Sequence, residues 1–315
     1  MLAILLLALP IFGLILAGWV MRTAGVLGAE STRELNRFVV WLALPALLFH
    51  IVAGARWGDI WQPAFIAVFG LGMMAVFVPT ALVAWRMGRP LADAAIDGLN
   101  GGYSNTAYIG LPLALAAIGP QAQPGVLVAT ILTMCLLFGS ALLLIELDLN
   151  RSGGGVAVAG RVAKSLACNP LIVAPALGGI VLAAGVGLAE PLDRFLDLLG
   201  GAASPCALVA LGTFLADKRA SPADRPASVP VGPVAALTAL KLVVHPLATW
   251  LLAVFVFRLD APATNLAVLV AALPSGTGPF MAAEFYGREA QVTAQVVLAS
   301  TVLSLFTVTL LLSWQ

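Results

Sequence analysis

DGLNGGYSNTAYIGLP (Asp97–Pro112) and ALPSGTGPFMAAEFYG (Ala272–Gly287) are two polar, glycine-rich strings in a chain that is otherwise a succession of apolar runs. The first sets four glycines, a proline and several hydrogen-bonding side chains where lipid would favour leucine. In the second, Pro274 and Pro279 each remove a helical N–H, and Gly276 and Gly278 loosen the backbone between them. Both strings predict helices that open partway along their length. Backbone groups freed at membrane depth must be satisfied by protein, water or ligand, so such breaks line cavities.

That the solvent is lipid follows from composition. Of 315 residues, 61% are hydrophobic and 10% charged, against about 25% charged in an ordinary soluble domain. The net charge of +1 leaves no basic excess for nucleic acid. Cys135, Cys168 and Cys206 sit at wide spacing in apolar stretches, which writes neither a disulfide framework nor a metal site, and they read as packing residues. Nucleophile-elbow, zincin, P-loop and aspartate-rich motifs are absent from the sequence, so no enzymatic chemistry, cofactor or metal is expected. The opening MLAILLLALPIFGLILAGWVM lacks a basic start and a small-residue cleavage site, and it reads as a first spanning helix.

A helix needs roughly 20 apolar residues to cross the bilayer core. Charges, prolines and glycines divide this chain into ten such stretches, with cores near 2–21, 35–53, 63–85, 97–118, 124–146, 167–187, 192–216, 231–257, 264–286 and 290–313. Loops after odd-numbered spans hold Arg22, Arg33, Arg37, Arg86, Arg89, Arg151, Arg161, Lys164, Lys218, Arg219, Arg225 and Arg288, whereas loops after even-numbered spans hold Arg56, Arg194 and Arg258. The odd loops therefore face the cytoplasm, and both termini face the outer side of a cell inner membrane. GLILAGWV (Gly13–Val20) is similar to GIVLAAGV (Gly179–Val186), and ALPALL (Ala43–Leu48) to ASPCAL (Ala203–Leu208). VPTAL (Val78–Leu82) is similar to HPLAT (His245–Thr249), and Ser104–Thr106 falls against Ser275–Thr277. The four pairs keep their order at separations of 160 to 171 residues. The expected fold is thus an all-α polytopic membrane protein of two inverted five-helix repeats, residues 1–150 and 167–315, joined by a cytoplasmic linker at 151–166. Inverted repeats with discontinuous helices characterise secondary transporters.

Entering from opposite faces, Ser104 and Ser275 each lie about 12 Å along their spans, which places both breaks near mid-membrane. The half-helices restarting there present N–H groups and the positive end of a dipole, a partner for a carboxylate. Ser104, Asn105, Thr106, Ser275, Gly276, Thr277 and Pro279 are the expected binding residues for a small organic anion. Lys241, with His245 one turn further along, lies deep within the eighth span. A cation at that depth faces the bundle interior or water, so both residues are candidates for coupling to H+ or Na+. Pairing of Lys241 with Glu284, or snorkelling toward the cytoplasm, is the plainer alternative. His50, Glu284, Asp193 and Asp197 lie near span ends and read as interfacial, solvated or paired. A passive channel or sensor is the rival of another class, since broken helices also line pores.

NTAYIGLP (Asn105–Pro112) and ALPSGTGPF (Ala272–Phe280) resemble the plant patterns NTLVMGIP and ALPQGIVPF of the auxin efflux carrier family, within the bile acid/sodium symporter superfamily. The resemblance spans the whole chain. It implies crossed fourth and ninth helices, a mobile core of spans 3–5 and 8–10, a scaffold of spans 1, 2, 6 and 7 that admits a homodimer partner, and elevator-like movement. It also implies that Asn105 contacts a substrate carboxylate and that Pro279 is the crossover proline. Ser104 stands where plant carriers have proline, and the central loop is short. Both departures turn the expected cargo from auxin toward the dicarboxylates linked to bacterial members, such as malate or malonate. A sodium-coupled symporter of bile-acid-like or other organic anions is the alternative.

Overall fold

The computed structural model describes residues 2–151, 155–217 and 231–314. Residues 152–154 of the expected linker, and Lys218, Arg219 and Arg225 among the orienting cations, lie outside the described residues. The elements in chain order are α1 (Leu2–Thr23), α2 (Ser31–Ala53), α3 (Pro63–Arg86), α4 (Leu91–Gly102), α5 (Thr106–Ala117) and α6 (Pro120–Leu149). Then follow α7 (Gly155–Cys168), α8 (Pro170–Ala184), α9 (Glu190–Ala216), α10 (Val231–Val256), α11 (Ala261–Ala271), α12 (Gly278–Phe285) and α13 (Gln291–Trp314). Among the described residues, extended pairing is confined to a single isolated bridge, between Ser104 and Ser275.

The protein is a multi-pass membrane protein. Among the described residues six helices, α2, α3, α6, α9, α10 and α13, are each long and apolar enough to cross a bilayer, and the bent pair α7–α8 makes up to seven. Shorter apolar stretches occur at Leu9–Thr23, Thr106–Ala117 and Ala261–Ala271. Leu16, Trp41, Leu71, Phe255 and Phe306 each leave half or more of their surface uncovered, while Phe69, Met73, Phe77, Leu211 and Phe280 are enclosed. Apolar side chains on both the inside and the outside are what a lipid solvent permits.

Helix starts follow local chemistry. The Asn169 side chain accepts the Leu171 N–H at 3.0 Å ahead of Pro170, and Asp260 accepts the Ala263 N–H at 3.0 Å ahead of α11. Where helices approach closely, a glycine stands at the contact. A Cβ on Gly18 would lie 2.2 Å from the Val209 carbonyl oxygen, and one on Gly212 would lie 2.0 Å from that of Ile15, so α1 and α9 touch backbone to backbone. Gly98 likewise seats α4 against the Phe77 ring of α3.

Two features refine the sequence reading. The 151–166 segment, expected to be a linker, is helical from Gly155 onward, and α7 turns by 68° into α8 at Asn169–Pro170. Proline at the start of α8 cannot donate to the helix before it, and α7 carries Arg161 and Lys164, which favour a course along the membrane surface. The fourth and ninth stretches are each in two pieces, α4 with α5 and α11 with α12, as their glycines and prolines lead one to expect.

Candidate functional site

The last turn of α4 closes with the Tyr103 N–H donating to Leu99 at 2.8 Å, after which the chain runs extended through Tyr103. It resumes at Thr106 in a π-helical turn, where the Ile109 and Gly110 N–H groups both point at the Asn105 carbonyl, at 3.2 and 3.0 Å. Wide turns of this kind recur at functional sites. On the other strand, α11 ends at Ala271 and α12 begins at Gly278 with Pro279 in its first turn.

The two gaps satisfy each other. Ser104 and Ser275 pair in antiparallel fashion, and the Asn105 N–H donates to the Pro274 carbonyl at 3.0 Å. The Ser275 N–H is taken by Ser300 Oγ of α13 at 3.1 Å. The Tyr103 ring lies on the Gly276–Gly278 backbone, so that a Cβ on Gly276 or Gly278 would stand 2.7 or 2.5 Å from it. Phe138 holds that ring from the edge, with centroids 6.1 Å apart.

Ser104, Asn105, Thr106, Gly276 and Thr277 line one cavity of about 50 Å³, walled on the far side by residues of α2 and α9 that include Ser204. That volume holds a few waters. Its lining carries no Asp, Glu, Lys or Arg. Asn105 and Thr277 are half-buried, whereas Ser104 and Thr106 are buried with hydroxyl oxygens that find no protein partner. Ala107 and Tyr108 of the α5 first turn and Gly278 of the α12 first turn also border the space. Ser275 sits behind the crossover on Ser300, and Pro279 is buried at the start of α12 without lining the cavity. Sequence reasoning missed Tyr103, Ser204 and Ser300. Tyr103 was legible as a lone aromatic after Gly101-Gly102, but Ser204 and Ser300 look like ordinary small residues of apolar spans.

Lys241 and His245 are fully enclosed. Lys241 Nζ donates to the Ala271 carbonyl at 2.6 Å and meets His245 Nδ1 at 3.2 Å. Ala271 is the last residue of α11, so the lysine caps the carbonyl end that the break exposes. It makes no ion pair with Glu284 among the described residues and does not snorkel. His50 pairs with Asp193 at 2.9 Å, joining α2 to α9. No group of three or more His, Cys, Asp or Glu side chains comes together among the described residues.

Residues 3–312 match the family described as membrane transport protein. The chain belongs to this family, the auxin efflux carriers. It is accordingly a membrane transport protein and not an enzyme. It is 31% identical over 311 residues, 97% of this chain and 94% of the relative, to a Rhizobium meliloti (strain 1021) protein named "Putative malonate transporter". It is 26% identical over 304 residues to an "Uncharacterized transporter" of Methanothermobacter thermautotrophicus, covering 94% of this chain and 93% of that one. Escherichia coli (strain K12) has a relative, "Uncharacterized transporter YfdV", that is 27% identical over 285 residues, 88% and 87% of the two chains.

Proposed function

We propose that this family member carries a small organic anion, a dicarboxylate such as malonate or malate, across the cell inner membrane by an elevator-type alternating-access mechanism. The observation that carries the reading is the crossover itself. Two chain breaks 171 residues apart pair at Ser104 and Ser275 and turn Asn105 and Thr277 toward a cavity without acidic residues. First turns of two half-helices border that space, and their N–H groups complement a carboxylate. The name of the Rhizobium meliloti relative favours malonate within this class.

In this reading the chain has ten spans in two inverted repeats, 1–150 and 167–315, with both termini outside. Spans 1, 2, 6 and 7 form a scaffold that pairs with a second copy, and spans 3–5 and 8–10 form the moving core around Ser104, Asn105, Thr106, Ser275, Gly276, Thr277 and Pro279. The long-range side-chain bonds support that division. Asn100–Thr293, Lys241–Ala271, Ser275–Ser300 and Asp93–Arg288 join core to core. Thr32–Thr213, Arg22–Asp217 and His50–Asp193 join scaffold to scaffold. Among the described residues, two side-chain hydrogen bonds join the groups, Asn36 to the Met281 carbonyl at 3.4 Å and Asn169 to the Tyr286 hydroxyl at 3.1 Å, beside the ring contacts Trp41–Phe285 and Phe214–Phe280. Coupling to H+ or Na+ falls to Lys241 and His245. The test is counterflow: purified protein in liposomes preloaded with malonate should take up labelled malonate faster than empty liposomes. Flux linear in concentration and indifferent to internal malonate would replace the carrier with a channel.

A further inference from the structure

Lys241 and His245 are two bases in contact, enclosed in protein, with no acid beside them among the described residues. Elements packed against them supply no counter-ion. Between Ala261 and Ala271 α11 has no ionisable side chain, nor has α13 between Gln291 and Trp314. In α3 the single ionisable residue is Arg86, in its last turn, and Phe69 of that helix sets its ring 5.9 Å from the imidazole. The two carboxylates of α4 are engaged elsewhere, Asp97 with Arg89 at 2.9 Å and Asp93 with Arg288 at 2.7 Å. Lys241 and His245 are the only ionisable groups of α10 itself.

Two facing bases 3.2 Å apart in such surroundings cannot both carry charge, because each positive charge would meet the other across a low dielectric with nothing to offset it. The contact does have room for one proton. It resides on the lysine, which then donates to Ala271 and His245, or on the imidazole, with the lysine amine accepting. The imidazole Nε2 is buried and has no protein partner, so it is free to give or take a proton once water reaches it.

We propose that Lys241 and His245 form the proton-carrying centre of this transporter, holding one proton in the loaded core and none in the empty one. The inference rests on the carrier reading given above and names its coupling ion. A sodium ion is disfavoured at this end of the break, because the α11 terminal carbonyl already receives an N–H of Lys241 Nζ at 2.6 Å. The placement has an electrostatic purpose. The ammonium holds the carbonyl end of α11 while the anion would sit by the N-terminal turns across the crossover, so one unit of positive charge travels with the cargo and lowers the cost of moving it through the membrane. The cycle balances as follows. On one side the centre takes a proton from water and the crossover takes the anion. Both are released on the other side, and the core returns without either. One proton moves per anion, and with a dianion each turnover also moves one net negative charge.

The experiment uses purified protein in liposomes with labelled malonate, sodium-free buffer and the potential clamped by potassium and valinomycin. Wild type should accumulate malonate on a pH gradient, with a trapped pH dye reporting proton movement in the same direction. Counterflow at equal pH on both sides reads the carrier alone. Lys241→Gln should lose gradient-driven accumulation more than tenfold while counterflow falls by less than tenfold. His245→Gln, which leaves the Ala271 bond in place, should move the midpoint of the pH profile of uptake by more than half a pH unit and serves if Lys241→Gln does not reach the membrane. Counterflow in wild type without pH-driven accumulation, or with accumulation that appears only when a sodium gradient is added, overturns the proton centre alone. Variants that keep wild-type pH-driven accumulation and an unmoved profile do the same. Absence of counterflow overturns the carrier reading and this inference with it.

Discussion

Asn105 gives its backbone N–H to Pro274 and turns its side chain to the cavity, so the two halves of the residue serve different ends. Replacing it with alanine should therefore leave the crossover standing while weakening the hold on the anion. Asn105→Ala is expected to raise the half-saturation constant for malonate counterflow about tenfold, which is about 1.4 kcal/mol, without lowering the amount of protein in the membrane. An unchanged constant would remove Asn105 from the site. Gly278 tests the opposite property. Its Cβ would enter the Tyr103 ring, and that ring is backed by Phe138. Overpacking of this kind costs about 1–3 kcal/mol, so Gly278→Ala should lower the thermal midpoint in detergent, and adding Tyr103→Leu should recover part of the loss. No recovery would mean that the strain lies elsewhere. Asn105 and Thr277 could be picked from the sequence because polar side chains within an apolar span need a reason to be there. Tyr103 stood out as an aromatic after two glycines, but what it does is defined by Gly276 and Gly278 in the other half of the chain. The same holds for Lys241: its depth was legible, but its partner is a backbone carbonyl, which any residue could have supplied.

Helices that break and helices that bend divide the work between them. The breaks at 103–105 and 272–277 were readable from the glycines and prolines that stand in and around them in place of leucine. The helix in the 151–166 segment was not readable as such, because arginine, lysine and small residues suit a surface helix and a loop equally. Where α6, α8 and α12 meet, a small network closes. The hydroxyl of Tyr286 donates to Glu146 Oε1 at 3.0 Å and accepts from Asn169 at 3.1 Å, while Asn150 donates to Glu146 Oε2 at 3.0 Å. Beside it, two 2.7 Å bonds tie Arg288 to Asp93, and the hydrogen bonding holds the guanidinium above its already high ordinary pKa. Tyr286→Phe keeps the ring and removes both hydroxyl bonds. At about 0.6–2 kcal/mol for such bonds between membrane helices, it should lower the thermal midpoint by a few degrees. If Asn169–Tyr286 holds core to scaffold, the variant should also change the maximal rate of counterflow more than its half-saturation constant. A change in the constant alone would assign Tyr286 to binding instead.

Across the whole molecule, the proposed movement of core against scaffold makes a sharp demand on cross-links. Thr32 and Thr213 touch at 2.9 Å within the proposed scaffold, whereas Asn36 reaches Met281 across to the proposed core. In a background lacking Cys135, Cys168 and Cys206, bridging cysteines at 32 and 213 with a short thiol cross-linker should leave counterflow within twofold. Bridging 36 and 281 should abolish it, and a reductant or cleavable linker should restore it. Retained transport with the second bridge closed would rule out an elevator. The bridge between Ser104 and Ser275 has a further consequence for how the protein is made. The first break reaches the membrane with its Asn105 N–H still unpaired, and the Pro274 carbonyl that takes it is 169 residues behind on the ribosome. At about 5–20 residues per second, the nascent chain waits roughly 10–30 s with a polar gap between α4 and α5. Until the break between α11 and α12 arrives the protein is incomplete and that N–H stays exposed, so any mutation that slows insertion of the second half should be felt first as degradation of the first.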